Sequence, residues 1–225
     1  MLYVVGIGPG DIQLITVKGL ETIKKCQVIS GWESDVDRFS SYLEGKEVIK
    51  ITKFEELDYK LEETFNYAKS TDTAFLHQGD IAVSARLLLE KIKKGCERYN
   101  ITLELVPGVS SIIRALHVTG KDLSEVVFLT FHGRGNKNYD DIAKFLSTGR
   151  GLLIIPDLSS EGVKNIALKL KEIGHNDHVL MIMEKLTYPD ETIHYYTVND
   201  VIIKDLKFNP LSTMVYVPPY PSDNQ

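Results

Sequence analysis

The residues Val4, Val5, Gly6, Ile7, Gly8, Pro9, Gly10 and Asp11 place three alternating glycines and an acid directly after an apolar run. A glycine-rich turn between a strand and a helix is a common cradle for a nucleotide phosphate, because backbone N–H groups converge on the anion. The details here argue against that chemistry. The spacing is GxGxG rather than GxGxxG, so Asp11 stands where a third glycine would allow close helix packing. Pro9 has no N–H to donate, Asp11 would repel a phosphate, and "VISGW" in the second strand offers no acid for a ribose. No GxxxxGK[ST] occurs; "TGKD" near Gly120 lacks the upstream glycine and the hydroxyl residue. What is left is a tight turn with Asp11 near a helix start, where it either caps the helix or offers its carboxylate for substrate contact or proton handling.

His132 and Arg134, two residues apart in "FHGR", are the next candidates. Either the histidine is structural, or imidazole and guanidinium together grip a substrate carboxylate. Arg86 and Arg114 join Arg134 as cations for a polyanionic substrate, or are solvated surface residues. His175 and His178 have HxxH spacing without further ligands, which reads as a turn, and no metal is expected. His77 and His117 read as core or rim residues. Trp32 with Glu33 lines a wide cleft or packs as an ordinary aromatic. Cys26 and Cys96 are too few for a disulfide framework and lack CxxC spacing, so buried thiols in a reducing compartment are expected.

Several elements must position these groups. The 225 residues suffice for two small domains, and 43% hydrophobic with 25% charged residues marks a globular chain. A net charge of -5 without a basic stripe disfavours nucleic acid as a partner. No basic segment precedes the first apolar run and no apolar run approaches 20 residues, so a cytoplasmic chain with no membrane span is expected. In the first half, "LYVVGIG", "QVISGW", "KEVIKI", "TAFLHQGD" and "ITLELVPGVSS" read as strands. Helices are expected over "TVKGLETIKKC", with Val17, Leu20 and Ile23 inward, and near 55–69 and 81–94. That alternation predicts an α/β fold with a mostly parallel sheet over residues 1–109. Ser110 or Ser111 is placed to cap the helix "IIRALHVTG". Over 110–225, five strand-like runs with two clear helices between them predict a second α/β domain with a mixed sheet and hairpins. The tail "PPYPSDNQ" is expected to fray.

The glycine stretch has company: "HQGDIAVSARLL" at 77–88, "LVPGVSSIIRAL" at 105–116 and "FLTFHGR" at 128–134 each set glycine and small polar residues after a strand. Open parallel sheets bind ligands at such strand ends. Taken in order, GIGPGD, the GD turn with a downstream serine, and PGVSS resemble the tetrapyrrole methylase family, over nearly the whole chain. "FHGR" and "VLMIMEKLTYPDETI" are similar to its branch acting on late corrinoid intermediates of cobalamin synthesis. The family usually has Gly-Asp-Pro where this chain has Gly79, Asp80 and Ile81, which leaves the backbone of that turn less constrained.

The resemblance implies two α/β domains with an active-site cleft between them, and S-adenosylmethionine as methyl donor, giving S-adenosylhomocysteine. It implies that Pro9, Asp80, Ile81, Val83, Ser111 and Ile112 lie near the donor, with Met183, Glu184 and Leu211 on the adenine side. Asp11, His132 and Arg134 then serve substrate or proton handling. A corrinoid substrate, a homodimer and a separate protein for C-15 methylation and decarboxylation are further implications. Methyl transfer is one in-line displacement, so a missing Ser-His-Asp or Cys-His constellation is no obstacle. Another tetrapyrrole, an RNA, or a non-catalytic nucleotide-binding role remain the alternatives.

Overall fold

The computed structural model describes residues 1–132 and 138–219. The chain forms two compact units, Met1–Ser111 and Ile112–Gln225.

In the first unit, β1 (Leu2–Gly6), β2 (Val28–Trp32), β3 (Glu47–Ile51), β4 (Thr73–His77) and β5 (Leu103–Val106) form one sheet in the order β3-β2-β4-β1-β5. Every pairing is parallel. The period of two along β1 explains why the run is apolar at every position. Leu2 and Val4 enter one core with Phe65, Phe75 and Ile92. Tyr3 and Val5 enter another with Ile23, Ile29 and Leu76. A parallel strand covered on both faces has no solvent side to signal by polarity.

Helices α1 (Val17–Lys25), α2 (Glu33–Asp37), α3 (Leu57–Ala68) and α4 (Arg86–Tyr99) cover the two faces. Thr16 caps α1 by accepting from the Gly19 N–H at 3.0 Å. The buried side of α1 is Gly19, Thr22 and Ile23, whereas Val17, expected inward, is 82% exposed in the first turn. Helix α4 starts later than the expected residue 81, and the reason is local. Asp80 accepts the Ala82 N–H on Oδ1 at 2.7 Å, its carbonyl accepts from Val83, and Ser84 sits at φ 66°. An Asx-type turn followed by a left-handed residue cannot continue into a right-handed helix.

The second unit follows α5 (Ser111–Thr119) with β6 (Val126–Thr130), α6 (Asp140–Leu146), β7 (Gly151–Ile155), α7 (Gly162–Glu172), β8 (Val179–Glu184), β9 (Thr192–Thr197), α8 (Val198–Ile203) and β10 (Thr213–Val217). The sheet order is β6-β7-β10-β8-β9, with β6 and β7 parallel and the other pairs antiparallel. The sheet is therefore mixed, and β8 and β9 form a hairpin. Among the described residues three helices rather than two lie between its strands. The extra one, α8, is rich in β-branched residues with modest helix propensity, and a Thr197–Asp200 capping box starts it. Its Val198 and Val201 are fully buried in a core with Leu152, Ile166, Leu180 and Val215. Among the described residues no helix is long and apolar enough to cross a membrane.

Candidate active site

Three turns leave the carboxyl ends of β4, β1 and β5, which are neighbours in the sheet. They are the glycine stretch after β1, the Gln78-Gly79-Asp80 turn after β4 and the Pro107-Gly108 turn after β5. A Cβ on Gly6 would lie 2.6 Å from the Gly108 nitrogen and 2.7 Å from the Gly79 oxygen. One on Gly108 would lie 2.6 Å from the Gly6 carbonyl carbon and closer still to the Gly79 oxygen. The glycines are spent on letting three backbones touch. Gly8, at φ 81°, accepts the Gly79 N–H on its carbonyl at 2.9 Å.

Side chains then lock the turns together. Asp80 Oδ2 accepts the Gly108 N–H at 2.9 Å, so this carboxylate ties two turns to each other. Gln78 Nε2 donates to the Pro9 carbonyl at 2.8 Å, and Arg38 Nη1 donates to the Gly10 carbonyl at 3.0 Å. Behind them Asp35 accepts from Arg38 Nη2 on Oδ1 and from the Gln78 N–H on Oδ2, both at 3.2 Å. The Asp35 and Arg38 side chains are only 6% and 14% exposed. Burial pushes the Asp35 carboxyl up to about 6, against the opposing pull of Arg38 and the Gln78 N–H.

That shift has a sign that can be measured. A carboxyl whose folded pKa lies above its ordinary value near 3.8 binds a proton more readily folded than unfolded. Its contribution to stability therefore falls as pH rises through that interval. Relative to Asp35→Asn, the wild-type chain is expected to lose about 3 kcal/mol between about pH 4 and pH 7 in urea unfolding. A difference independent of pH means that Arg38 fully offsets the burial.

Asp11 is exposed and caps the short 3-10 turn Ile12–Leu14, accepting the Gln13 N–H on Oδ1 at 2.9 Å. Pro9 is buried, Ile81 is 4% exposed within the α3/α4 core, and Val83 is half-buried. Ser111 and Ile112 form the first turn of α5, with Ile112 buried. Trp32 packs against the core containing Leu57 and Leu61.

In the second unit His132 follows β6, half-buried, and burial lowers its pKa, which favours the neutral imidazole. Arg134 lies outside the described residues. Phe131 packs on Tyr139 with ring centroids 4.4 Å apart, and the Tyr139 hydroxyl donates to Asp157 Oδ2. Asp157, fully buried just beyond β7, also accepts from the Ser159 N–H at 2.7 Å and from Asn165 Nδ2 at 3.3 Å. Burial opposes its ionisation, yet the Ser159, Tyr139 and Asn165 donors outweigh burial and hold it well below the usual carboxylate range.

Met183 is buried in β8, and Glu184 ends that strand with Oε1 accepting the Asn209 N–H at 2.9 Å. Leu211 is 72% exposed, its N–H donating to Asn209 Oδ1 at 2.9 Å. Arg114 is already engaged: it grips Glu191 with two hydrogen bonds of 3.0 and 2.6 Å, and Glu191 also accepts the Thr187 N–H. Arg86 pairs with Glu90 one helical turn on. His178 Nε2 lies 2.8 Å from the Pro218 carbonyl, and no metal-binding group of three acids, histidines or cysteines occurs among the described residues. Both cysteines are buried, which pushes their thiols up to about 11.

Asp35, Arg38, Gln78, Tyr139 and Asp157 were not singled out by sequence. The spacing of Asp35 and Arg38 at i,i+3 was visible, but Glu33 and Asp37 beside them have the same chemistry and only burial separates them.

The Tetrapyrrole (Corrin/Porphyrin) Methylases model matches residues 1–202. The probable cobalt-precorrin-7 C(5)-methyltransferase of Methanocaldococcus jannaschii is 27% identical over 219 residues, covering 96% of this chain and 97% of that protein. The cobalt-precorrin-4 C(11)-methyltransferase of Priestia megaterium is 28% identical over 211 residues, covering 89% and 80%. Among solved structures, a cobalt precorrin-4 methyltransferase of cobalamin biosynthesis superposes with a TM-score of 0.74 at 25% identity, covering 96% of this chain and 94% of its own. With the three interlocked turns at the carboxyl edge of its first sheet, this chain belongs to the tetrapyrrole methylase family of methyltransferases.

Proposed function

We propose that this chain moves a methyl group from S-adenosylmethionine to C-5 of cobalt-precorrin-7, a late corrinoid of cobalamin synthesis. The observation that carries the reading is the use of the glycine turns. The Gly79 N–H donates to the Gly8 carbonyl and the Gly108 N–H to Asp80, and Pro9 has none, so these three positions offer a phosphate no donor. A donor without phosphate and with a cationic sulfonium suits an edge that carries Asp11. The choice of C-5 rests on similarity at 27% identity across 96% of the chain, although a relative named for C(11) is 28% identical across 89% of it.

S-adenosylmethionine, when bound, would supply an electrophilic methyl for a single in-line displacement by the ring carbon, with the thioether as leaving group. The chain's own work is placement. The interlocked turns form a rigid floor, with Pro9, Asp80, Ile81, Val83, Ser111 and Ile112 offering mainly backbone to the donor. Asp80 orders that floor rather than binding through its carboxylate. The resemblance assigns Met183, Glu184 and Leu211 to the adenine side. Asp11 is assigned the proton lost from the ring carbon, and neutral His132 with Arg134 the acetate and propionate arms. On this reading the chain is a cytoplasmic homodimer, and C-15 methylation with decarboxylation belongs to another protein.

Incubation with isotopically labelled S-adenosylmethionine and cobalt-precorrin-7, followed by mass spectrometry, is expected to show one added methyl, localised to C-5 by NMR. No transfer, with S-adenosylhomocysteine still saturating a calorimetric titration, overturns the substrate assignment. No calorimetric binding overturns the donor.

A further inference from the structure

We infer that Arg38 and Gln78 are positioning residues that act through Asp11, with Asp35 as their anchor. The inference deepens the methyl-transfer reading and rests on it for its catalytic part. The geometry is a chain of contacts within the first unit. Asp35 holds the Arg38 guanidinium on one carboxylate oxygen and the Gln78 N–H on the other. From that anchor Arg38 reaches the Gly10 carbonyl and Gln78 reaches the Pro9 carbonyl. Two consecutive peptide oxygens, immediately before Asp11, are thus held by side chains from two separate segments, Arg38 at the end of α2 and Gln78 just after β4.

On the far side of the same loop the Asp11 carboxylate itself accepts the Gln13 N–H, and the other bonds are between backbone groups. Gly8 accepts the Gly79 N–H, and beyond Asp11 the Leu14 N–H returns to the Asp11 carbonyl at 3.0 Å. Gly8 at φ 81° and Gly10 supply no side chains to brace the turn. An exposed carboxylate on a glycine-rich loop loses its aim unless the peptide planes before it are fixed, and the two donors fix those planes. Arg38 suits the task because its guanidinium serves Asp35 and Gly10 at once through separate nitrogens. Gln78 suits it because its amide donates without adding a charge beside Asp11.

The test uses Gln78→Leu, Arg38→Met and the conservative Arg38→Lys in the full chain, each also combined with Asp11→Asn. Native-state hydrogen exchange reads the loop without any substrate. Gln78→Leu and Arg38→Met are expected to speed exchange at the Gln13 and Leu14 amides on the order of ten-fold, with the Gly19 amide in α1 unchanged as a control. In methyl transfer, kcat is expected to fall on the order of ten- to a hundred-fold with S-adenosylhomocysteine affinity preserved, and Arg38→Lys to recover part of it. The loss should vanish in the Asp11→Asn background, because both changes then remove the same interaction. Unchanged exchange, or an equal kcat loss in both backgrounds, overturns the inference. If the wild-type chain transfers no methyl, the functional proposal fails, and the exchange result still decides whether the two side chains hold the loop.

Discussion

Gly108→Ala is expected to destabilise the chain by about 3 kcal/mol and to abolish S-adenosylhomocysteine binding, as read by urea unfolding and calorimetry. The new Cβ would meet the Gly6 carbonyl at 2.6 Å and the Gly79 oxygen closer still, and none of these atoms can yield by changing a rotamer. Relief requires separating the ends of β1, β4 and β5, which also breaks the Asp80 bond to the Gly108 N–H. Gly120→Ala provides the contrast. Gly120 has φ 63° but nothing within 4 Å of the methyl that alanine would add, so its cost is conformational, about 1 kcal/mol, and binding should survive. Normal binding by Gly108→Ala would mean that the three turns have room to part.

Arg38→Met is expected to cost about 3 kcal/mol at pH 8 and only about 1 kcal/mol at pH 5. At pH 8 the wild-type Asp35 is ionised and paired; without Arg38 it becomes a buried carboxylate with no cation, and its pKa climbs beyond about 6. The folded chain must then bear an unpaired charge or take up a proton, a penalty relative to wild type that grows as pH rises from about 6 to the higher folded pKa of the variant and is constant beyond it. At pH 5 Asp35 is largely protonated in both chains, and what is lost is mainly the bond to the Gly10 carbonyl. Urea unfolding at the two pH values checks this, and equal losses would show that Asp35 is accommodated without its partner.

Legibility in the sequence followed how local each cause is. Strands β1 to β5 could be read from apolar, β-branched runs, because a fully buried parallel strand needs apolar residues on both faces. Thr16 and α1 could be read from a cap and a helical period. The start of α4 could not, since it depends on Asp80 folding back on Ala82 and on left-handed Ser84. Helix α8 was hidden because β-branched residues favour strands and the capping box overrode them. Arg114 had the chemistry for an anionic substrate, but Glu191, 77 positions away, occupies it.

The sequence by itself determined the class of fold, the order of the motif turns and the family, because strand periodicity and glycine spacing are written within a few adjacent residues. It also disfavoured a phosphate site at the glycine stretch, through Pro9 and Asp11. Only the tertiary structure decided that β4, β1 and β5 are neighbours and that Gly6, Gly79 and Gly108 exist for one another. It likewise singled out Asp35 from the acids around it. Local periodicity is satisfied by any ordering of buried parallel strands, so their adjacency, and every contact that depends on it, is set by how the whole sheet packs against its helices.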